Sequence, residues 1–241
     1  MNAKQSQINF SEVFYSIQGE GALTGVPSVF FRTSGCNLRC NWCDTPYTSF
    51  IPENKKIDVL EAVDLISAYK CKHVVITGGE PLIQSKKITT LCAFLRERQY
   101  HITIETNGTR YINSLQQYCD LMSISPKLSD SAPKIDQVES ANWIKKHERD
   151  RIDIGTLAKL LKNYKCQFKF VVSYEHHIEE IEALQTLLSK LSNDLIYLMP
   201  EGRTEKEIKT KQEWVVDTCI KKGWRYSDRL QVRIWGDKRG V

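Results

Sequence analysis

The sequence predicts a parallel α/β fold. Three observations carry this expectation. Short apolar, β-rich runs alternate with segments of helical periodicity along most of the chain, the order that yields parallel strands joined by crossover helices. Glycine and polar residues gather just after each apolar run, and in parallel α/β folds that edge of the sheet carries the active site. A tight group of three cysteines follows the first of these runs.

The elements follow in order. Residues 28–34, Ser-Val-Phe-Phe-Arg-Thr-Ser, form an apolar strand that stops at Gly35. Val59, Leu60, Val63, Leu65 and Ile66 recur at helical spacing over 59–69, with Asp58 placed to cap that helix. Residues 73–77 read as a buried strand closed by Gly78-Gly79, 88–98 as a helix, and 101–105 as a strand closed by Asn107-Gly108. A short strand, 121–125, stops at Pro126. Residues 128–151 are rich in Lys, Asp and Ser and read as irregular. A strand at 168–173, an amphipathic helix at 178–191 and a strand at 195–199, stopped by Pro200, come next. A helix over 206–222 and a final strand over 230–235 complete the pattern.

Composition bounds the class. A 41% hydrophobic content supplies a sizeable core, and 26% charged residues is too near the average for a disordered chain. The length of 241 residues suits one domain over 1–241, with 128–167 as an exposed insertion. No run approaches the roughly 18–20 apolar residues of a membrane span. Residues 1–7 lack the apolar stretch of a signal peptide, so the cytoplasm is the expected location. The net charge of +5 comes from a dispersed excess of Lys and Arg. Aromatic and basic residues are not interleaved in the way that stacks bases, so no direct nucleic-acid partner is expected.

Of eight cysteines, Cys71, Cys92, Cys119, Cys166 and Cys219 are scattered and read as ordinary buried thiols. Cys36, Cys40 and Cys43 are clustered in Gly35-Cys-Asn-Leu-Arg-Cys-Asn-Trp-Cys-Asp44. Without a secretion signal, such clustering points to metal rather than disulfides. Thiolates this close on one loop can converge on an iron–sulfur core. Three thiolates on a four-iron core leave one iron open, and an open metal position is a ligand-binding position. The alternative is a zinc site, which needs a fourth ligand. The next Cys and His, Cys71 and His73, stand far down the chain.

The C-x3-C-x2-C spacing, with aromatic Trp42 before the third cysteine, resembles the radical S-adenosylmethionine (SAM) enzymes. The resemblance implies a partial, open parallel β/α barrel, modified and carrying an irregular insertion. It also implies a [4Fe–4S] cluster on Cys36, Cys40 and Cys43, and SAM bound beside it. Trp42 would pack on the adenine end of SAM. Thr77-Gly-Gly-Glu-Pro81 matches the family's loop for the SAM amino group, with Gly79 in contact. Ser125-Pro126-Lys127 matches a second SAM segment. Met199-Pro200-Glu201-Gly202 matches a third, with Met where the family commonly has Gln. Glu105 at a strand end reads equally as a partner for ribose hydroxyls or as a helix cap.

Phe14-Tyr-Ser-Ile-Gln-Gly-Glu-Gly21 is the most discriminating segment. From the residues alone it is a turn between strands. With Arg32 and Cys43-Asp-Thr45 it resembles the 7-carboxy-7-deazaguanine synthases over most of the chain. That family contracts the ring of 6-carboxy-5,6,7,8-tetrahydropterin with loss of ammonia, in the route to queuosine and other deazapurines. The resemblance implies substrate contacts at Ile17, Gln18, Gly19 and Thr77, a Mg²⁺ ligand at Thr45, and substrate binding by the carboxylate of Val241. Glu20 lies near the substrate contacts, and Asp44 stands behind the Mg²⁺. It further implies a flavodoxin- or ferredoxin-type electron donor and a homodimer. Arg32 is a charge on an apolar strand and must meet an anion. That anion is an internal carboxylate or, the favoured partner, the substrate's own. A glycyl-radical activase shares the cysteines, and a zinc-stabilised RNA-binding module is the alternative of another class.

Overall fold

The computed structural model describes residues 7–53 and 55–241. Its strands are β1 (Gln7–Ile17), β2 (Pro27–Thr33), β3 (Lys55–Asp58), β4 (His73–Gly78), β5 (His101–Thr106), β6 (Leu121–Ile124), β7 (Cys166–Val172), β8 (Ile196–Pro200) and β9 (Arg225–Tyr226). They form one nine-stranded sheet in the order β3-β1-β2-β4-β5-β6-β7-β8-β9. From β2 to β9 all neighbours are parallel. β1 runs antiparallel to both β2 and β3. β3 and β9 are the two edges, so the barrel is open, as the family resemblance implies.

The central strands are continuous apolar runs because both faces of a parallel sheet are covered. Val74 and Ile76, Ile102 and Ile104, and Phe168 and Phe170 are all fully buried. The covering helices are α1 (Val59–Ser67), α2 (Ser85–Glu97), α3 (Asn142–Asp150), α4 (Ile154–Asn163), α5 (His177–Leu187), α6 (Glu205–Lys222) and α7 (Leu230–Trp235). α6 starts in a reciprocal Thr204–Glu207 capping box and stops at Gly223 in the left-handed conformation. Asp58 does precede α1, but its side chain makes no capping hydrogen bond. Among the described residues, no helix is long and apolar enough to cross a membrane.

Several expectations need correction. Residues 230–235 are helical, not a strand. Over six residues, Leu-Gln-Val-Arg-Ile-Trp fits either period, and the Leu230 N–H is taken by Gly19 O, outside any sheet. The 128–151 region is more regular than its composition suggests, since it contains α3. β3 and β9 have no counterpart in the sequence-based reading, and β1 is implied there only as the strand ahead of the turn at 14–21. β1 mixes polar Asn9, Ser11 and Glu12 into its apolar pattern. Cys71 and Cys119 are only partly buried.

Candidate active site

Loops leaving the C-terminal ends of the parallel strands enclose a cavity of about 400 Å³. The loop after β2 carries the three cysteines, all as free thiols. Cys40 is buried, while Cys36 and Cys43 are half-buried. The Leu38 N–H approaches Cys36 Sγ at 3.4 Å, and Ser49 Oγ lies 3.3 Å from Cys43 Sγ. Burial pushes the Cys36 thiol up to about 12, and the charges of Glu80 and Cys43 add to this. Burial also raises the Cys40 thiol well above its usual range. Thiolates here need a positive partner, which an iron core supplies.

Among the described residues, the only three His, Cys, Asp or Glu ligand atoms within 4.8 Å of one another belong to Asp130, His176 and His177. The Asp130 group is itself a hydrogen-bonded cluster. His177 Nδ1 accepts the Ser173 N–H, which leaves the proton on Nε2, 3.2 Å from Asp130 Oδ2.

The glycine pair after β4 abuts the cysteine loop. A Cβ on Gly78 would lie 2.2 Å from Thr33 O, and one on Gly79 would lie 2.3 Å from Gly35 O. Gly78 also has φ +135, open to glycine alone. The pair thus serves close approach of the chain to itself. Gly79 lines the cavity. The Glu80 carboxylate is fully buried and accepts from Leu82 N, Asn107 N and Thr106 Oγ1 at 2.7–2.9 Å. It ties the ends of β4 and β5 together.

The segments predicted to flank SAM meet around the cysteines. Lys127 Nζ donates to Ser125 Oγ at 2.8 Å and stands 5.2 Å from the Trp42 ring centre. Trp42, Ser125, Lys127, Met199, Glu201 and Gly202 line the cavity, whereas Pro126 and Pro200 do not. Glu201 pairs with Lys211 at 3.0 Å.

Ile17, Gln18, Gly19, Arg32, Thr45, Thr77 and Val241 line the same cavity. Gln18 Nε2 donates to Glu105 Oε1 at 3.1 Å, and Thr77 Oγ1 donates to Glu105 Oε2 at 2.8 Å. Glu105 thus faces the cavity with two internal donors and caps no helix. Arg32 Nε pairs with Glu12 Oε1 at 2.7 Å, so of the two anions left open by the sequence, the structure contains the internal one. Among the described residues the rest of the guanidinium makes no hydrogen bond. Thr45 Oγ1 lies 3.8 Å from Cys43 Sγ.

The C-terminal tail is fastened rather than frayed. Arg239 Nε donates to Glu12 Oε2 at 2.8 Å, Nη1 and Nη2 grip Glu53 at 2.8 and 2.9 Å, and Nη2 reaches Ser11 Oγ at 3.0 Å. The guanidinium also lies 3.8 Å from the Tyr47 ring centre. Tyr47 OH donates to Glu12 Oε1 at 3.0 Å. Glu12 therefore joins Arg32 in the cavity to Arg239 in the tail.

Sequence reasoning missed a buried charge network. Glu20 pairs with Lys169 and, at 3.2 Å, with Arg229 Nε, and it accepts from Gln231 Nε2 at 2.8 Å. Arg229 also pairs with Asp44 and donates to Gly202 O. Asp44, expected behind the Mg²⁺, is taken by this arginine. Burial alone would raise the Glu20 carboxyl, but the Lys169 and Arg229 charges hold it far below the carboxylate range. One signal was available: Lys169 sits between Phe168 and Phe170 on an apolar strand.

Comparisons with known proteins agree with this geometry. The Radical SAM superfamily profile matches residues 30–211. A 7-carboxy-7-deazaguanine synthase of Rhodopirellula baltica is 41% identical over 240 residues, 99% of this chain and 91% of that protein. One from Halobacterium salinarum is 40% identical over 235 residues, 94% of this chain and 90% of that protein. The crystal structure of QueE from Escherichia coli superposes with a TM-score of 0.60 at 26% identity, covering 94% of this chain and 95% of that one. With near-complete coverage on both sides, the chain belongs to the radical SAM superfamily and, within it, to the 7-carboxy-7-deazaguanine synthases.

Proposed function

We propose that the cavity divides into a cluster-and-SAM half and a pterin half, serving conversion of 6-carboxy-5,6,7,8-tetrahydropterin to 7-carboxy-7-deazaguanine with loss of ammonia. Cys36, Cys40 and Cys43 would hold the [4Fe–4S] cluster. Trp42, Gly79, Ser125, Pro126, Lys127 and Met199, Pro200, Glu201, Gly202 would bound SAM, the two prolines by shaping their segments. When bound, the cluster and SAM would supply radical hydrogen-abstraction chemistry at C6 of the pterin.

The chain's own residues bind and orient the substrate. Arg32, held at Nε by Glu12, presents the outer side of its fork to the substrate carboxylate. Thr45 would hold Mg²⁺ through its hydroxyl, with waters and the substrate completing an oxygen shell. The Ile17–Gln18–Gly19 turn reads the donor–acceptor edge of the pterin. Gln18 and Thr77 also fix the Glu105 carboxylate, an acceptor for pterin N–H groups. Val241 would bring its carboxylate to the substrate. One domain with residues 128–167 as its insertion, a homodimer, a flavodoxin- or ferredoxin-class reductant and a cytoplasmic location complete the reading.

One observation carries it: the sulfur ligands, the SAM segments, Arg32, Thr45 and Val241 all border one cavity. Two variants test the substrate half. Thr45→Ala should lose Mg²⁺ stimulation while retaining reductive SAM cleavage. A C-terminal extension beyond Val241 should raise the KM for the pterin. Unchanged Mg²⁺ dependence in the first, or full activity in the second, removes the corresponding role.

A further inference from the structure

The cysteine loop is neither helix nor strand, so its backbone polar groups need other partners. Several find them in residues 128–150. The Arg39 N–H donates to His147 Nδ1 at 3.1 Å, and the Asn41 N–H to Ser131 O at 3.0 Å. Asn37 O accepts from Lys146 Nζ at 3.1 Å, and Asn41 O from Gln137 Nε2 at 3.2 Å. The Asn41 side chain donates to Asp130 O at 2.8 Å. The Arg39 guanidinium donates from its edge to Cys36 O and Leu38 O, and lies 4.1 Å from the Trp143 ring centre.

His147 stands at the centre of these contacts and is fully buried. Ser131 Oγ donates to Leu128 O at 2.6 Å, so it accepts from His147 Nε2 at 2.9 Å. That fixes the tautomer with hydrogen on Nε2 and a lone pair on Nδ1. Only this neutral form can accept the Arg39 amide. Arg39 lies between the ligands Cys36 and Cys40.

We propose that residues 128–150 brace the cluster loop, with His147 as the positioning residue that sets the backbone between Cys36 and Cys40. This rests on the reading that Cys36, Cys40 and Cys43 hold the cluster. Removing the acceptor leaves a buried N–H unsatisfied. The loop then opens more often and the cluster becomes more accessible.

The test compares wild type, His147→Leu and His147→Asn after anaerobic reconstitution. Leu fills the space without an acceptor, whereas Asn offers an oxygen near the Nδ1 position. Iron release to a chelator and the electron paramagnetic resonance spectrum of the reduced protein are the readouts, normalised to folded protein. His147→Leu should release iron about tenfold faster, as one unsatisfied buried donor implies, with a broadened spectrum. His147→Asn should restore most of both. Equal release from all three variants, or His147→Asn behaving as His147→Leu, overturns the brace. If His147→Leu does not fold, Trp143→Leu on the less buried side of α3 takes its place. Faster iron release then supports the brace, and wild-type release overturns it. Wild-type protein that binds zinc and no iron or sulfide would instead overturn the cluster reading itself.

Discussion

Arg239→Ala isolates the tail latch. The substitution removes a two-pronged pair with Glu53, a bond to Glu12 and the stacking on Tyr47, while the Arg32–Glu12 pair can persist. Arg239 is 40% exposed, so its ion pairs take solvent-screened values, roughly 0.2–1 kcal/mol each. The cation–π contact adds about 0.5–1 kcal/mol. Together the latch contributes about 2 kcal/mol, which is about 30-fold in the ratio of fastened to free tail. Where the pterin binds only with the tail fastened, its apparent affinity falls with that population. The KM for the pterin should therefore rise by up to about 30-fold, with kcat at saturation within about twofold of wild type. Arg239→Lys keeps the charge and loses the fork, and should fall between. Anaerobic steady-state titration of the pterin measures this. An unchanged KM, or a fall in kcat at constant KM, refutes the latch.

Other consequences follow from the same geometry. Glu20→Ala strands Lys169 in the interior and leaves Arg229 with Asp44 alone as its counter-charge; losing one partner of a buried pair costs about 3 kcal/mol or more, and the cluster-free protein should melt about 10 °C lower. Melting within a degree or two of wild type would show the network to be dispensable. Gly79→Ala drives a Cβ against Gly35 O and Thr48 O, the latter 2.7 Å away, so the cysteine loop must shift; reconstituted iron should drop below wild-type stoichiometry, and full loading would count against that close approach. The latch should also be insensitive to pH near neutrality. Bonding to Arg239 is the largest effect on Glu53 and lowers its carboxyl from 4.5 to about 2. For Glu12, burial opposes the shift, but the bonds and charges of Arg239 and Arg32 lower it. Carboxylates depressed in this way stabilise fully above their unfolded value and lose that contribution as pH falls through the folded one. The order of the tail, read by NMR relaxation of residues 237–241, should thus be constant between about pH 5.5 and 8.5, and fall only as Glu53 protonates toward about pH 2. A transition inside the flat range would mean that another group controls the tail.

The sequence was most legible where chemistry is local. Cys36, Cys40 and Cys43 declare a metal site by spacing, and Gly78-Gly79 declares a tight approach by composition. The parallel strands were visible because burial on both faces leaves runs such as Val74-Val75-Ile76. What escaped notice is assembled from distant single residues. Glu20, Lys169 and Arg229 come from three separate parts of the chain; Lys169 between two phenylalanines marks a charge on an apolar strand, but the sequence does not name its partners. Arg32 showed that an anion was needed, but only the β1–β2 register could reveal that Glu12 faces Arg32. The brace around His147 was hidden for the same reason, since its partners are backbone groups that carry no sequence signal. Residues 230–235 misled because six residues are too few to separate a period of 2 from one of 3.6.

The most direct test of the central claim is product analysis by mass after anaerobic turnover of reconstituted protein with SAM, Mg²⁺, a reductant and 6-carboxy-5,6,7,8-tetrahydropterin. The account predicts 7-carboxy-7-deazaguanine and ammonia, with SAM regenerated. Protein that carries an intact cluster and cleaves SAM, yet returns the pterin unchanged, would contradict it.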